Sequence, residues 1–184
     1  MPDKRNAKTQ RLVKEALLVT LETKRLSDVT VSELAAKAGI SRSTLYCNFQ
    51  NTQDIYEALV ADFFSETRTL GVQLRCKGCE SFHGDGKVPY CVAIRQTHVY
   101  RNVVRDSSFL PTMFNVFKND VRFREALSPY LALGLTEDVA ESLLVFQMSG
   151  CYAAALNVRD DNVWAQAQSA IDVLLASGMN AIRA

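Results

Sequence analysis

Apolar residues from Thr30 to Phe49, TVSELAAKAGISRSTLYCNF, fall into two short helical patterns joined by a turn. Val31, Leu34, Ala35 and Ala38 recur at intervals of three and four, which puts them on one helix face, while Ser32, Glu33 and Lys37 point away. Thr30 followed by Glu33 is a capping-box pair, each side chain able to satisfy the other residue's orphan backbone N–H. Gly39 ends this helix, because a residue without a Cβ enters the left-handed conformation at little cost, and Ile40 can then tuck beneath the turn. Ser41 caps a second helix whose large anchors are only Leu45 and Phe49, with Arg42, Ser43, Thr44 and Asn48 on its other side. A helix with so little to bury has much to offer a groove. The spacing predicts a helix-turn-helix, although an ordinary helical hairpin shares the pattern.

The same periodicity predicts helices through the rest of the chain. Residues 7 to 22 read as a first helix, with Leu12, Ala16 and Val19, joined by Val13 and Leu17, toward the core and Lys8, Arg11, Lys14 and Glu15 mostly outside. A fourth helix starts near Asn51 or Thr52, where Asn51 and Asp54 offer a cap and a first-turn acid. It runs through Ile55, Leu59, Phe63 and Leu70 to about Arg75. Such a rod, about 24 residues at 1.5 Å each, spans roughly 36 Å and joins a head to a body without a Pro/Gly linker. Residues 76 to 89, CKGCESFHGDGKVP, lack an apolar face and read as a loop.

Further helices are expected at about 90 to 105, 109 to 118, 120 to 127, 136 to 157 and 160 to 177, punctuated at Asp106-Ser107-Ser108, Ser128-Pro129 and Gly134-Leu135-Thr136. The last two carry more apolar residues than one face holds: Val139, Leu143, Phe146, Met148, Cys151, Ala154 and Ala155, then Val163, Trp164, Ala167, Ile171, Leu174 and Leu175. The surplus, with Gly150, suits close approach of a second subunit. The fold class is therefore all-α, with a head at 1–52 and a helical body at 53–184.

From about Ala7 to Val60 the chain resembles the N-terminal domain of TetR-type transcriptional regulators. The resemblance is carried by Leu34-Ala35-Ala36-Lys37-Ala38-Gly39-Ile40-Ser41, by Thr44-Leu45-Tyr46 and by Phe49. Asn48 stands where the family usually has Tyr or His, Thr52 where it usually has Lys, and Lys24-Arg25-Leu26 where a Gly is common. The resemblance implies a three-helix reading head joined by the long fourth helix to a ligand-binding and dimerisation domain. It also implies a homodimer formed through residues 136–157 and 160–177 as a four-helix bundle.

Composition and charge narrow the function. The 184 residues are 48% hydrophobic and 22% charged, and no apolar run approaches the ~20 residues of a membrane span. Without a secretory pattern at the N-terminus, a cytoplasmic location is expected. Formal net charge is +1, but residues 1 to 52 hold nine Lys/Arg against five acids, leaving twelve against fifteen elsewhere. Positive charge is thus concentrated on the head, where it can hold a phosphate backbone. No phosphate-binding Gly loop, nucleophile elbow or His-Glu-x-x-His occurs, so an enzyme is not expected, and nothing calls for a cofactor. Cys76-x-x-Cys79 with His83 and Cys91 is a weak zinc or redox candidate.

The expected partner is double-stranded DNA, contacted by Thr30, Ser32, Ser41, Arg42, Ser43, Thr44, Tyr46, Asn48 and Thr52. Aromatic rings, adaptable Met and polar tips further along suggest a pocket for an unknown small apolar effector. Its candidate lining is Tyr90, Ile94, His98, Tyr100, Phe109, Met113, Phe114, Phe117, Gln147, Met148 and Tyr152. The reading is a ligand-responsive regulator, with repression as the expected output, on a pseudo-palindromic operator. The alternatives are a TetR-like helical adaptor that binds protein, and a thiol-redox or metal sensor through Cys76 and Cys79.

Overall fold

A computed structural model describes residues 4–66, 89–120 and 122–182, and every regular element among them is helical. The order is α1 (Lys4–Thr20), a 3₁₀ turn (Leu26–Asp28), α2 (Val31–Lys37), α3 (Arg42–Tyr46), α4 (Thr52–Glu66), α5 (Tyr90–Gln96), α6 (Phe109–Lys118), α7 (Arg122–Leu131), α8 (Glu137–Asn157) and α9 (Asp161–Ile182). The expected far end of the fourth helix near Arg75, and the loop with Cys76, Cys79 and His83, lie outside the described residues.

Contacts divide the chain into two units, Met1–Phe63 with His98–Val116, and Phe64–Thr97 with Phe117–Ala184. In the first unit α2 packs on α1 and α3. Its core holds Val13, Leu17, Leu34, Leu45, Ile55, Leu59 and Phe63, all essentially without exposure. The buried stripe of α1 is Val13, Ala16, Leu17 and Thr20, residues that share one helix face, with buried Leu21 just past its end. Val19 is exposed, contrary to expectation, because it falls off that stripe.

Hydrogen bonds explain why His98–Val116 belongs to this unit. The Asp106 carboxylate accepts the Leu26 N–H at 3.0 Å and the Ser108 N–H at 2.8 Å. The Tyr56 hydroxyl donates to the Val103 carbonyl at 2.7 Å, and Gln53 Nε2 donates to Thr112 Oγ1 at 2.9 Å. Polar side chains that the sequence offers as punctuation are here the fasteners of a segment.

The second unit holds the rest of α4 and α6 with α5, α7, α8 and α9. The spacing predicts one helix over 90 to 105, but α5 stops at Gln96 because Thr97 is extended, with φ −66° and ψ 125°. Tyr100 is therefore not on the same helix as Tyr90 and Ile94. The expected 120 to 127 helix is instead Arg122–Leu131 and runs through Pro129. Proline has no N–H for the carbonyl four residues back, and the Ser128 hydroxyl donates to that carbonyl, Glu125 O, at 2.8 Å. α9 also runs past the expected end at 177 to Ile182. By length and composition α8 could cross a membrane, yet it packs within its unit against α5 and α7.

Candidate functional site

α2 begins where Thr30, extended at φ −112° and ψ 148°, accepts the Glu33 N–H on its hydroxyl at 3.2 Å. The reciprocal half of the expected box does not form. The Glu33 carboxylate instead takes Lys24 Nζ at 2.9 Å on both oxygens, a charge-assisted bond stronger than one to a neutral N–H. A variant of the box occurs at α4: Asn51 Oδ1 accepts the Asp54 N–H, and Asp54 Oδ2 accepts the N–H of Gln50, the residue before the cap, each at 2.9 Å.

The turn after α2 depends on Gly39, whose φ is +67°. Ile40 N–H donates to Ala35 O at 3.0 Å and Gly39 N–H to Ala36 O at 3.1 Å, the paired bonds of a Schellman end. α3 then starts at Ser41, whose hydroxyl accepts the Thr44 N–H at 3.1 Å and lies 3.0 Å from Ser43 Oγ and 2.8 Å from Thr44 Oγ1. Leu45 and Phe49 are buried and fix the helix to the unit.

Anchored this way, α3 leaves Arg42, Ser43, Thr44 and Tyr46 exposed, with Tyr46 at 56%. Thr30 and Ser41 are also exposed, as is the α2 face at Ala36 and Lys37, and Thr52, the first residue of α4, is half-buried. Ser32 is exposed as well. Asn48 is half-buried, and its Nδ2 donates to Thr44 O at 2.9 Å, closing the end of α3. Several head cations are already engaged: Lys14 pairs with Asp62, Lys24 with Glu33 and Arg11 with Glu15. Arg42 has no ion pair among the described residues, so its guanidinium is available to a ligand of the head.

The eleven candidate effector residues divide between the two units. In the first, Tyr100 and Phe109 meet Phe63 edge-on, with ring centroids 5.7 and 5.9 Å away, and Met113 is fully buried. Phe114 is half-buried, and His98 is exposed. In the second unit Phe64 stacks on both Tyr90, at 6.4 Å, and Phe117, at 6.1 Å. Ile94 and Met148 are buried there and Tyr152 is half-buried.

Gln147 Oε1 accepts the Tyr130 hydroxyl, and both residues are buried. Burial raises the Tyr90 phenol well above its ordinary value, with Tyr152, Cys151 and Cys91 adding to the effect. Burial also raises Tyr130, with Cys151 as the second cause. Tyr130 escapes sequence reasoning because it follows Pro129, which reads as an interruption.

Nothing in the sequence pattern marks Arg95 either. It donates to Val158 O at the end of α8 and to Asp161 Oδ1 at 2.6 Å at the start of α9, with its guanidinium 4.7 Å from the Trp164 ring centroid. Among the described residues no three His, Cys, Asp or Glu side chains come together for a metal ion. Cys91, the fourth member of the weak metal candidate, is buried in α5. Phe146 and Leu174 are 73% and 71% exposed, and Val139, Val163 and Val173 are exposed as well. An open groove along α9 is lined by Ala165, Ala170, Val173 and Leu174.

No curated protein matches the chain. Among solved structures it aligns with the TetR family repressor AlkX from Dietzia sp. strain DQ12-45-1b, implicated in biodegradation of n-alkanes. The identity is 20%, over 91% of this chain and 96% of that chain, and the TM-score is 0.39, too low to transfer any property between the two. Residues 21–59 match the family model for bacterial regulatory proteins of the tetR family. That segment takes in both helices of the turn, the Gly39 elbow and the buried anchors Leu45 and Phe49, so it is over residues 21–59 that the chain is similar to the tetR family of bacterial regulatory proteins.

Proposed function

We propose that the chain is a tetR-type regulator, a ligand-responsive repressor that binds a pseudo-palindromic operator as a homodimer in the cytoplasm. The observation carrying the DNA reading is the exposed row Arg42, Ser43, Thr44 and Tyr46 on a helix pinned by Leu45 and Phe49. Arg42 can make a bidentate contact with a guanine edge in the major groove. Thr30, Ser32, Ser41, Tyr46 and Thr52 supply hydroxyls or helix-start N–H groups for phosphates, with Ser43, Thr44 and Asn48 beside them. The division of labour is head, residues 1–52, for DNA and body, residues 53–184, for effector and dimer.

The exposed apolar residues of α8 and α9 support the dimer. An isologous interface through both helices would cover Phe146, Val163 and Leu174 and set two heads at a fixed spacing. Within the second unit the buried Tyr90, Ile94, Phe117 and Met148 support an apolar effector site, with Gln147 and Tyr152 as its polar or outer members. Such a protein works by binding and needs no catalytic group.

A second reading has one observation in its favour: Lys14 and Lys24 are paired within the head, and Thr52 takes the place of a lysine. Fewer cations then remain for phosphates, as a head that docks on protein would allow. Selection of bound fragments from random genomic DNA decides between the two. Recovery of a shared inverted repeat supports the operator reading, and recovery of no sequence above background would leave the adaptor.

A further inference from the structure

Gln147 lies on α8 at 4% exposure, and its Oε1 accepts the Tyr130 hydroxyl from α7. With the hydroxyl donating to Oε1, the nitrogen end of the amide is left to find another acceptor. Its Nε2 has no hydrogen-bond partner among the described residues. A buried N–H without an acceptor is costly, and a native protein that retains one has a use for it or fills the place with water. One turn away on α8 lie the buried Leu144 and the half-buried Leu143 and Cys151, so the amide is a polar point on an otherwise apolar face.

We propose that Gln147 Nε2 is the recognition point for a neutral carbonyl oxygen on an otherwise apolar effector. This deepens the proposed effector reading and rests on it. The preference for a carbonyl comes from the donor: an amide N–H needs an acceptor, which a hydrocarbon lacks. The preference for a neutral group comes from the surroundings. Buried Tyr90 and Tyr130 are both held more firmly protonated than a phenol in water, so the region disfavours negative charge, and an unpaired carboxylate would bear the full desolvation penalty.

The test uses isosteric pairs that differ only at the acceptor: acetophenone with α-methylstyrene, and benzophenone with 1,1-diphenylethylene. Each is titrated into the full-length ¹⁵N-labelled protein while the Gln147 side-chain NH₂ resonance, assigned by its loss in Gln147→Leu, is followed. A ketone should move that resonance and bind at least about tenfold more tightly than its alkene, and the difference should vanish in Gln147→Leu. Should Gln147→Leu fail to fold, Gln147→Glu provides the assignment and the wild-type titration stands alone. Equal binding of ketone and alkene, no movement of the resonance with any ketone, or a bound water that no ketone displaces would each overturn the proposal. The same samples are assayed for operator binding. A ketone that meets Gln147 without altering operator affinity removes the regulatory reading and leaves the site. Operator release by a compound that leaves the Gln147 resonance unmoved removes the site and leaves the regulator.

Discussion

Arg42 and Tyr46 stand one turn apart on the same exposed side of α3, yet their chemistry assigns them different work. A guanidinium can read two acceptors of one guanine, whereas a phenol offers a single hydroxyl suited to a phosphate. Arg42→Ala should therefore cost about 1–3 kcal/mol of discrimination and relax preference at one position of each half-site. Tyr46→Phe should weaken binding to all sequences alike. A uniform loss for both variants, in a competition across single-base operator changes, would refute the division.

Asp120 and Arg122 give a second residue-level prediction. The Arg122 guanidinium holds the Asp120 carboxyl below its ordinary value, chiefly by hydrogen bonding, with Nε 2.7 Å from Oδ1. A carboxyl with a depressed folded value contributes stability above its unfolded value, near pH 4, and loses it as pH falls through the folded value. Asp120→Asn should flatten the stability curve below about pH 4. Urea midpoints measured across the acid range that fall as steeply in the variant as in the parent would contradict this.

At the scale of elements, Gly39 shows what a pattern can reveal. A Cβ built there meets nothing within 4 Å, so substitution costs conformation rather than space. Gly39→Ala should lose about 1–2 kcal/mol from the left-handed backbone alone, and Gly39→Asn should lose less, which denaturant midpoints would resolve. This turn, the two caps and the anchors Leu45 and Phe49 are legible in the sequence because each depends on neighbours within a few residues. The illegible features depend on distant partners. Spacing predicts that Glu33 bonds back to Thr30, but Lys24 outcompetes the backbone. It also puts Tyr100 on the helix of Tyr90, whereas Thr97 breaks that helix and Asp106 fastens the segment beyond the break to Leu26, 80 residues away in sequence. Pro129 reads as a stop because the rescue of Glu125 O by Ser128 involves a rotamer, which spacing does not encode. The exposed row of α3 is legible as a group, while Tyr130 and its bond to Gln147 emerge only from packing.

For the whole molecule, the exposed rings and aliphatics of α8 and α9 should be covered in solution. Phe146→Glu with Leu174→Glu changes two exposed positions, so the fold should survive and the dimer should not. Sedimentation equilibrium at micromolar concentration should show dimer for the parent and monomer for the double variant, and a monomeric parent would remove the interface.

The proposed effector switch belongs to the same scale. α4 and α6 each contribute residues to both units, and Asp106 and Tyr56 fasten the His98–Val116 segment within the reading unit. A ligand ordered against Phe64 and Phe117, which α4 and α6 carry into the second unit, would therefore act on helices that also build the first. Coupling of the usual size, ~1–3 kcal/mol, lowers operator affinity roughly 5- to 150-fold, and linkage requires operator DNA to weaken the ligand by the same factor. Asp106→Ala, which removes the acceptor of the Leu26 N–H, should shrink both factors together while leaving ligand affinity in the absence of DNA unchanged. Calorimetric titration of the effector with and without operator, on parent and variant, measures all four affinities. Equal effector affinity with and without operator in the parent would mean that the site, if occupied, does not switch the reader.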